Sequence, residues 1–184
     1  REPHLQEINH ILRPLVDELL QFWHSGIFIS RTADHVFGRL VRSAIIPLIC
    51  DLPAIRKAAG FASFGSKEGS CSFCYATKDD FDNFDIKSFR PRTWKEHMRV
   101  AEQWLNAPSV AAREEHWRVH RIRWSELLRL PYWDPIQFPV VDSMHNLFLN
   151  EISHHCREAL GMNAAKKVTP SFDPHDPTEQ AIEI

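Results

Sequence analysis

The chain has 184 residues, 43% of them apolar and 11% aromatic, which is enough to bury one full-sized core and too apolar for a disordered segment. A formal net charge of −2 excludes a field that would draw the whole molecule to DNA or to a membrane surface. The longest apolar run, Ala44 to Cys50, is far below the roughly 20 residues a spanning helix needs, and no signal peptide is visible, so a soluble intracellular protein is expected, with no membrane partner.

The chain opens at Arg1 directly into helical periodicity, which predicts a piece of a longer polypeptide. Leu5, Ile8, Leu12, Leu15, Val16, Leu19, Leu20 and Trp23 follow helical spacing, with Pro14 kinking that helix or starting its second half and Gly26 ending it. Ile27 to Ser30 reads as a short strand. Leu40 to Cys50 reads as the main buried strand, weakened or bulged at Pro47. Asp51 closes it, Pro53 fits a first helical turn, and Ala54 to Ala59 form a short helix stopped by Gly60.

Residues 61–90 are rich in loop signals and hold Cys71 and Cys74. Thr93 to Glu96 has the pattern of a capping box, opening a helix whose face is Trp94, Met98, Ala101 and Leu105. Ser109 caps the next helix, which runs to about His120, and Ser125 to Leu130 gives a further helical turn. Phe138 to Val141 reads as a second short buried strand. Asp142 then caps a helix carrying Met144, Leu147, Phe148, Ile152 and Cys156, ended by Gly161. Beyond it, Pro170, Pro174 and Pro177 with four acids and no base after Ser171 read as an acidic linker or tail. The expected organisation is therefore residues 1–60, 61–137, 138–162 and 163–184, in a mixed α/β chain.

Four groups of residues carry chemistry. Asp51, at a strand end, can hold a divalent cation, because hard cations take carboxylate oxygen, yet Asp-Leu-Pro is equally a good helix cap. Cys71-x-x-Cys74 has the spacing of half a zinc site, with a redox disulfide as the runner-up. Zinc wants four ligands, and His116 with His120, four apart on one helix, is the better local pair, whereas His154 and His155 point about 100° apart. Asp142-x-x-His145 is a second acid delivered by a strand-to-helix junction, and it too has a plain capping explanation. From Asp85 to Leu130 ten Lys or Arg stand against six acids, a local +4. Within that stretch Arg90, Arg92, Lys95, Arg99, Arg118, Arg121 and Arg123 are candidates for phosphate contact.

Five collinear blocks give these residues a common frame: Leu12 to Glu18, residues 47–64, Cys71 to Cys74, residues 122–135 and residues 140–150. Together they resemble the Plavaka-type DNA transposases of fungal genomes, relatives of the CACTA transposases, over roughly residues 3–160. The resemblance implies a partial RNase H-like core, in which three acids hold two Mg²⁺ or Mn²⁺ ions for DNA cleavage and strand transfer, with a mostly helical, zinc-stapled insertion. On it, Asp51 is the second catalytic acid. Cys71 and Cys74 match the zinc half-site that follows that acid in this group and in the related V(D)J recombinase, and Asp142 and His145 match a downstream block. His145 would complete the zinc site or orient the active site. The first acid would lie before Arg1 and the final glutamate beyond Ile184, so a lone Asp51 predicts no nuclease activity from this chain. Nuclear localisation, transposon-end DNA as partner and a homo-oligomer of the full-length protein are further implications. Asn150 and Arg121 stand where the family has glycine, which fits the alternative of a domesticated, non-catalytic zinc-stabilised module for DNA or protein interaction.

Overall fold

The computed structural model describes residues 7–162 as a mixed helical chain with two small sheets. Compactness divides the chain into Arg1–Asn146 and Leu147–Ile184.

In the first unit, helix α1 (Ile8–His24) runs through Pro14 without ending and buries Val16 and Leu19. Strands β1 (Ile27–Ile29) and β2 (Arg39–Val41) form an antiparallel pair, and β3 (Leu48–Cys50) pairs in parallel with β4 (Pro139–Val141). The single strand expected from Leu40 to Cys50 is therefore two strands in two different sheets. Pro47 stands just before β3, where its missing N–H costs no ladder bond, and the chain from Arg42 to Pro47 is exposed. Nor are the strands of the parallel pair buried on both faces, since Ile49 and Val140, cross-strand partners, remain 60% and 44% exposed.

Helix α2 (Leu52–Ala59) has both ends written locally. The Asp51 carboxylate accepts a bond from the Ala54 amide at 2.8 Å, and Gly60 adopts φ +86° at the C-terminus. Gly60 is also where another segment comes closest, because a Cβ there would lie 2.4 Å from the Arg123 carbonyl oxygen. The two backbones exchange a hydrogen bond, Arg123 N–H to the Gly60 carbonyl, at 2.9 Å.

Helices α3 (Trp94–Leu105) and α4 (Val110–His120) begin where expected, capped by Thr93 and Ser109. The capping box at α3 is only half made, since the Glu96 carboxylate turns to Arg90 at 2.8 Å instead of back to the cap. One core joins these parts: Val16 and Leu19 of α1, Ala58 and Ala59 of α2, Val100 and Ala101 of α3, and Ile122, Leu127, Leu130, Trp133 and Ile136. The boundaries expected at residues 60 and 137 are thus not breaks in packing. Asn9 ties the ends together, donating to the Trp124 carbonyl and accepting from the Glu126 amide.

Arg121 ends α4 with φ +57°, the one non-glycine residue with positive φ among those described. Its left-handed backbone costs about 1 kcal/mol for a residue with a Cβ, so Arg121→Gly is expected to stabilise the fold by about 0.5–1 kcal/mol. A denaturant melt checks it.

Following β4, a wide helical stretch runs over Met144–Ile152 and a second over His155–Ala159, with Gly161 at φ +64°. The apolar residues this helix carries, Met144, Leu147, Phe148 and Ile152, are each 40% or more exposed. The acidic tail expected from residue 163 lies outside the described residues.

Candidate functional site

The parallel register pairs Cys50 with Val141, and the Asp142 amide donates to the Cys50 carbonyl at 2.8 Å. Asp51 and Asp142 are the next residues on their two strands. They therefore leave the same end of the sheet side by side, at the roughly 4.8 Å spacing of neighbouring strands. Cys50 registers both: burial pushes its thiol up, and the Asp51 and then the Asp142 carboxylate push it further. An acid from each of two strand ends is the donor set that a hard divalent cation takes.

Both carboxylates also serve the backbone. Asp51 caps α2, and Asp142 Oδ1 accepts from the Met144 amide at 3.0 Å while its Oδ2 meets His145 Nδ1 at 2.5 Å. That imidazole, and then the Met144 amide, hold the Asp142 carboxyl below its usual range. Among the described residues no three His, Cys, Asp or Glu side chains converge to hold a metal. A cation between Asp51 and Asp142 would therefore draw the carboxylates away from contacts they now make.

The cysteine loop is organised from below. Cys71 Sγ accepts the Phe73 amide at 3.3 Å, and the Ala76 amide does the same for Cys74. Each sulfur thus receives an N–H from two residues on, the arrangement that stabilises a thiolate or a metal-bound sulfur. The two thiols also interact directly, and burial, the larger effect, raises that of Cys74. Two buried arginines set the loop's shape. Arg56 donates to the carbonyls of Ala62 at 2.5 Å, Ser70 at 2.7 Å and Gly69, and to Ser72 Oγ at 2.8 Å. Arg92 donates to the carbonyls of Cys71 and Cys74 at 3.2 and 2.9 Å, and its guanidinium lies 4.3 Å from the Tyr75 ring centre. Neither makes an ion pair with a carboxylate among the described residues; burial and then Arg92 lower the proton affinity of Arg56, whereas burial lowers that of Arg92 against the opposing pull of Tyr75, the two cysteines and Glu96. Arg92 opposes the effect of burial on the Cys74 thiol, and an N–H donor to each sulfur suits metal-bound sulfur, so the residues present fit half of a zinc site.

The second half is not where spacing put it. His116 and His120 do stack, ring centres 4.4 Å apart, and His116 Nε2 reaches Gln103 Oε1 at 3.4 Å. They do not join Cys71 and Cys74, because the pair sits on α4 and faces α3. His145 is held by Asp142.

Of the seven basic candidates, two are corrected by burial. Arg92 is 8% exposed, and Arg123 is 2% exposed, donating to the carbonyls of Phe61 and Lys57 at 3.0 and 2.6 Å. They are posts of the fold, not phosphate ligands. Arg121 is half-buried and holds the left-handed turn. Arg90 and Arg118 are exposed but paired, with Glu96 and Glu115. Lys95 and Arg99, four apart on α3, stay exposed with no ion pair among the described residues.

Sequence reasoning passed over Arg56 and His97. His97, on α3, is 1% exposed, its ring centre 4.7 Å from that of Phe61, with neither nitrogen in a hydrogen bond. The Ala59 carbonyl lies close enough to favour the protonated ring slightly, but burial and then Arg92 hold the group down at about 3. Neither residue shows a signal in the sequence, where each reads as a polar position on an amphipathic helix.

No family profile, no curated protein and no solved structure matches the chain. No helix among the described residues is long and apolar enough to cross a membrane.

Proposed function

We propose that this chain is the central part of a cut-and-paste DNA transposase of the Plavaka type, with an RNase H-like core. In this reading Asp51 is one of the acids that hold the catalytic metal ions, Cys71 and Cys74 hold half of a structural zinc, and Lys95 and Arg99 track phosphate in the nucleus. The observation that carries it is the parallel pairing of β3 with β4, which brings Asp51 and Asp142 to one sheet end. Bound Mg²⁺ or Mn²⁺ would polarise a phosphodiester and activate water or a 3′-hydroxyl. What the chain itself supplies is position: the strand ends fix the carboxylates, and His145 keeps the Asp142 carboxyl ionised.

Mn²⁺ titrated into the labelled protein is expected to broaden the NMR resonances of residues 50–52 and 141–143 first. Asp51→Ala with Asp142→Ala should abolish that pattern, and broadening centred elsewhere would defeat the metal assignment. The second reading, a domesticated module without chemistry, is favoured by the capping bonds that already occupy both carboxylates. It predicts no Mn²⁺ effect at these positions.

Zinc is tested separately. Purified chain is expected to hold zinc in stoichiometric amount by elemental analysis, and Cys71→Ser with Cys74→Ser to lose it together with several degrees of melting temperature, since structural zinc contributes directly to folding energy. Metal-free wild type with an unchanged melt in the double variant would remove zinc from the reading.

A further inference from the structure

We infer that the cleft between the last turn of α1 and the chain leaving β2 binds one unstacked nucleotide of a DNA strand, its base on Trp23 and its phosphate on Arg42. The inference deepens the transposase reading and rests on it for the identity of the strand. The cleft, about 420 Å³, is lined by Trp23, His24, Arg42, Ser43 and Ala44. Among the described residues no carboxylate lines it, and the wall they form does not repel an anion.

The indole is held and still available. Trp23 packs against Tyr132 with ring centres 4.5 Å apart and planes at 44°, yet 39% of the residue stays exposed. Tyr132 also fixes the opposite wall, its hydroxyl 3.4 Å from the Ile45 amide, one residue beyond Ala44. Arg42 is set in place by Gly26. With φ +72°, that glycine leaves room that a Cβ would take, 3.0 Å from Arg42 Cγ and 2.7 Å from the Val41 carbonyl oxygen. Arg42 is exposed and has no partner among the described residues, so its charge is free for a ligand.

An aromatic face, an unpaired guanidinium, an imidazole and a hydroxyl in one cleft are the parts that grip single-stranded nucleic acid, by base stacking and phosphate pairing. A duplex cannot use them, because its bases already stack on each other. Neither Asp51 nor Asp142 is among the residues that line the cleft.

The test is fluorescence anisotropy of the whole chain with a labelled oligothymidylate at low salt, with thymidine monophosphate as competitor and the matching duplex in parallel. Single strand should bind in preference to duplex. Trp23→Ala and Arg42→Glu should each weaken it about tenfold or more, Trp23→Phe should retain most of the binding, and Lys87→Ala, an exposed position outside the cleft, should leave it unchanged. Ultraviolet crosslinking of an iodouracil-substituted strand should map to the Trp23 peptide, which keeps the test open if Trp23→Ala does not fold. Binding that is equal in the variants, lost in only one of them, or crosslinked elsewhere overturns the cleft and leaves the transposase reading standing. Absence of binding to either form of DNA overturns both.

Discussion

Replacing Arg56 with alanine is expected to cost about 3 kcal/mol or more, because each buried acceptor left without its donor costs about 1–3 kcal/mol, against a total of about 5–15 kcal/mol for a domain. The guanidinium is 2% exposed and feeds the carbonyls of Ala62, Gly69 and Ser70 together with Ser72 Oγ. Burial, and then Arg92, lower its pKa only to about 10, so it stays charged at neutral pH. Its removal leaves three carbonyls turned inward without a donor, in a loop with little apolar packing of its own. Arg56→Lys should recover only part of the loss, because an ammonium cannot present the same planar fork to four acceptors. Denaturant unfolding measures the effect. Hydrogen exchange across residues 69–76 should show protection lost there first, and a uniform loss over α1 and α3 would argue against this role.

The second large effect concerns acid. His97 titrates at about 6.5 in the unfolded chain and at about 3 in the folded one, so below 6.5 the unfolded state takes up a proton that the native state refuses. Uptake by the unfolded state means that its contribution is neutral above pH 6.5 and increasingly destabilising as pH falls towards 3. Between pH 7 and pH 5 the loss is about 2 kcal/mol. His97→Phe keeps a ring against Phe61 and removes two unpartnered nitrogens. Stability equal to wild type or about 1 kcal/mol higher is expected at pH 7, with a flatter profile between pH 7 and pH 5. Parallel profiles for the two proteins would show that His97 is not the acid-sensitive group. The Arg92 guanidinium, the Ala59 carbonyl and the Phe61 ring are what the imidazole faces.

Helix beginnings and ends were legible because their causes are local. Asp51, Thr93 and Ser109 each accept from the amide three residues on, and Gly60 supplies a left-handed turn at its own position. The same locality explains the errors. Val41 and Leu48 read as one strand because both are apolar, while the partners that separate them, Ile27 and Pro139, lie far off in sequence. Strand-end position and spacing picked out Asp51, Asp142 and the cysteine pair, but the residues that hold the loop around those cysteines, Arg56 and Arg92, belong to no motif.

By itself, then, the sequence determined the caps, the turn glycines, the amphipathic faces of α1 and α3, and the cysteine spacing, all set by contacts within about one helical turn. Only the tertiary structure decided that strands some ninety residues apart pair in parallel and bring two acids together, and that Arg92 and Arg123 are interior posts. It also decided that His116 and His120 stay away from Cys71 and Cys74. The reason is physical. Whether a charged side chain meets water or a buried carbonyl depends on which distant segment packs over it, and nothing in its neighbours along the chain encodes that.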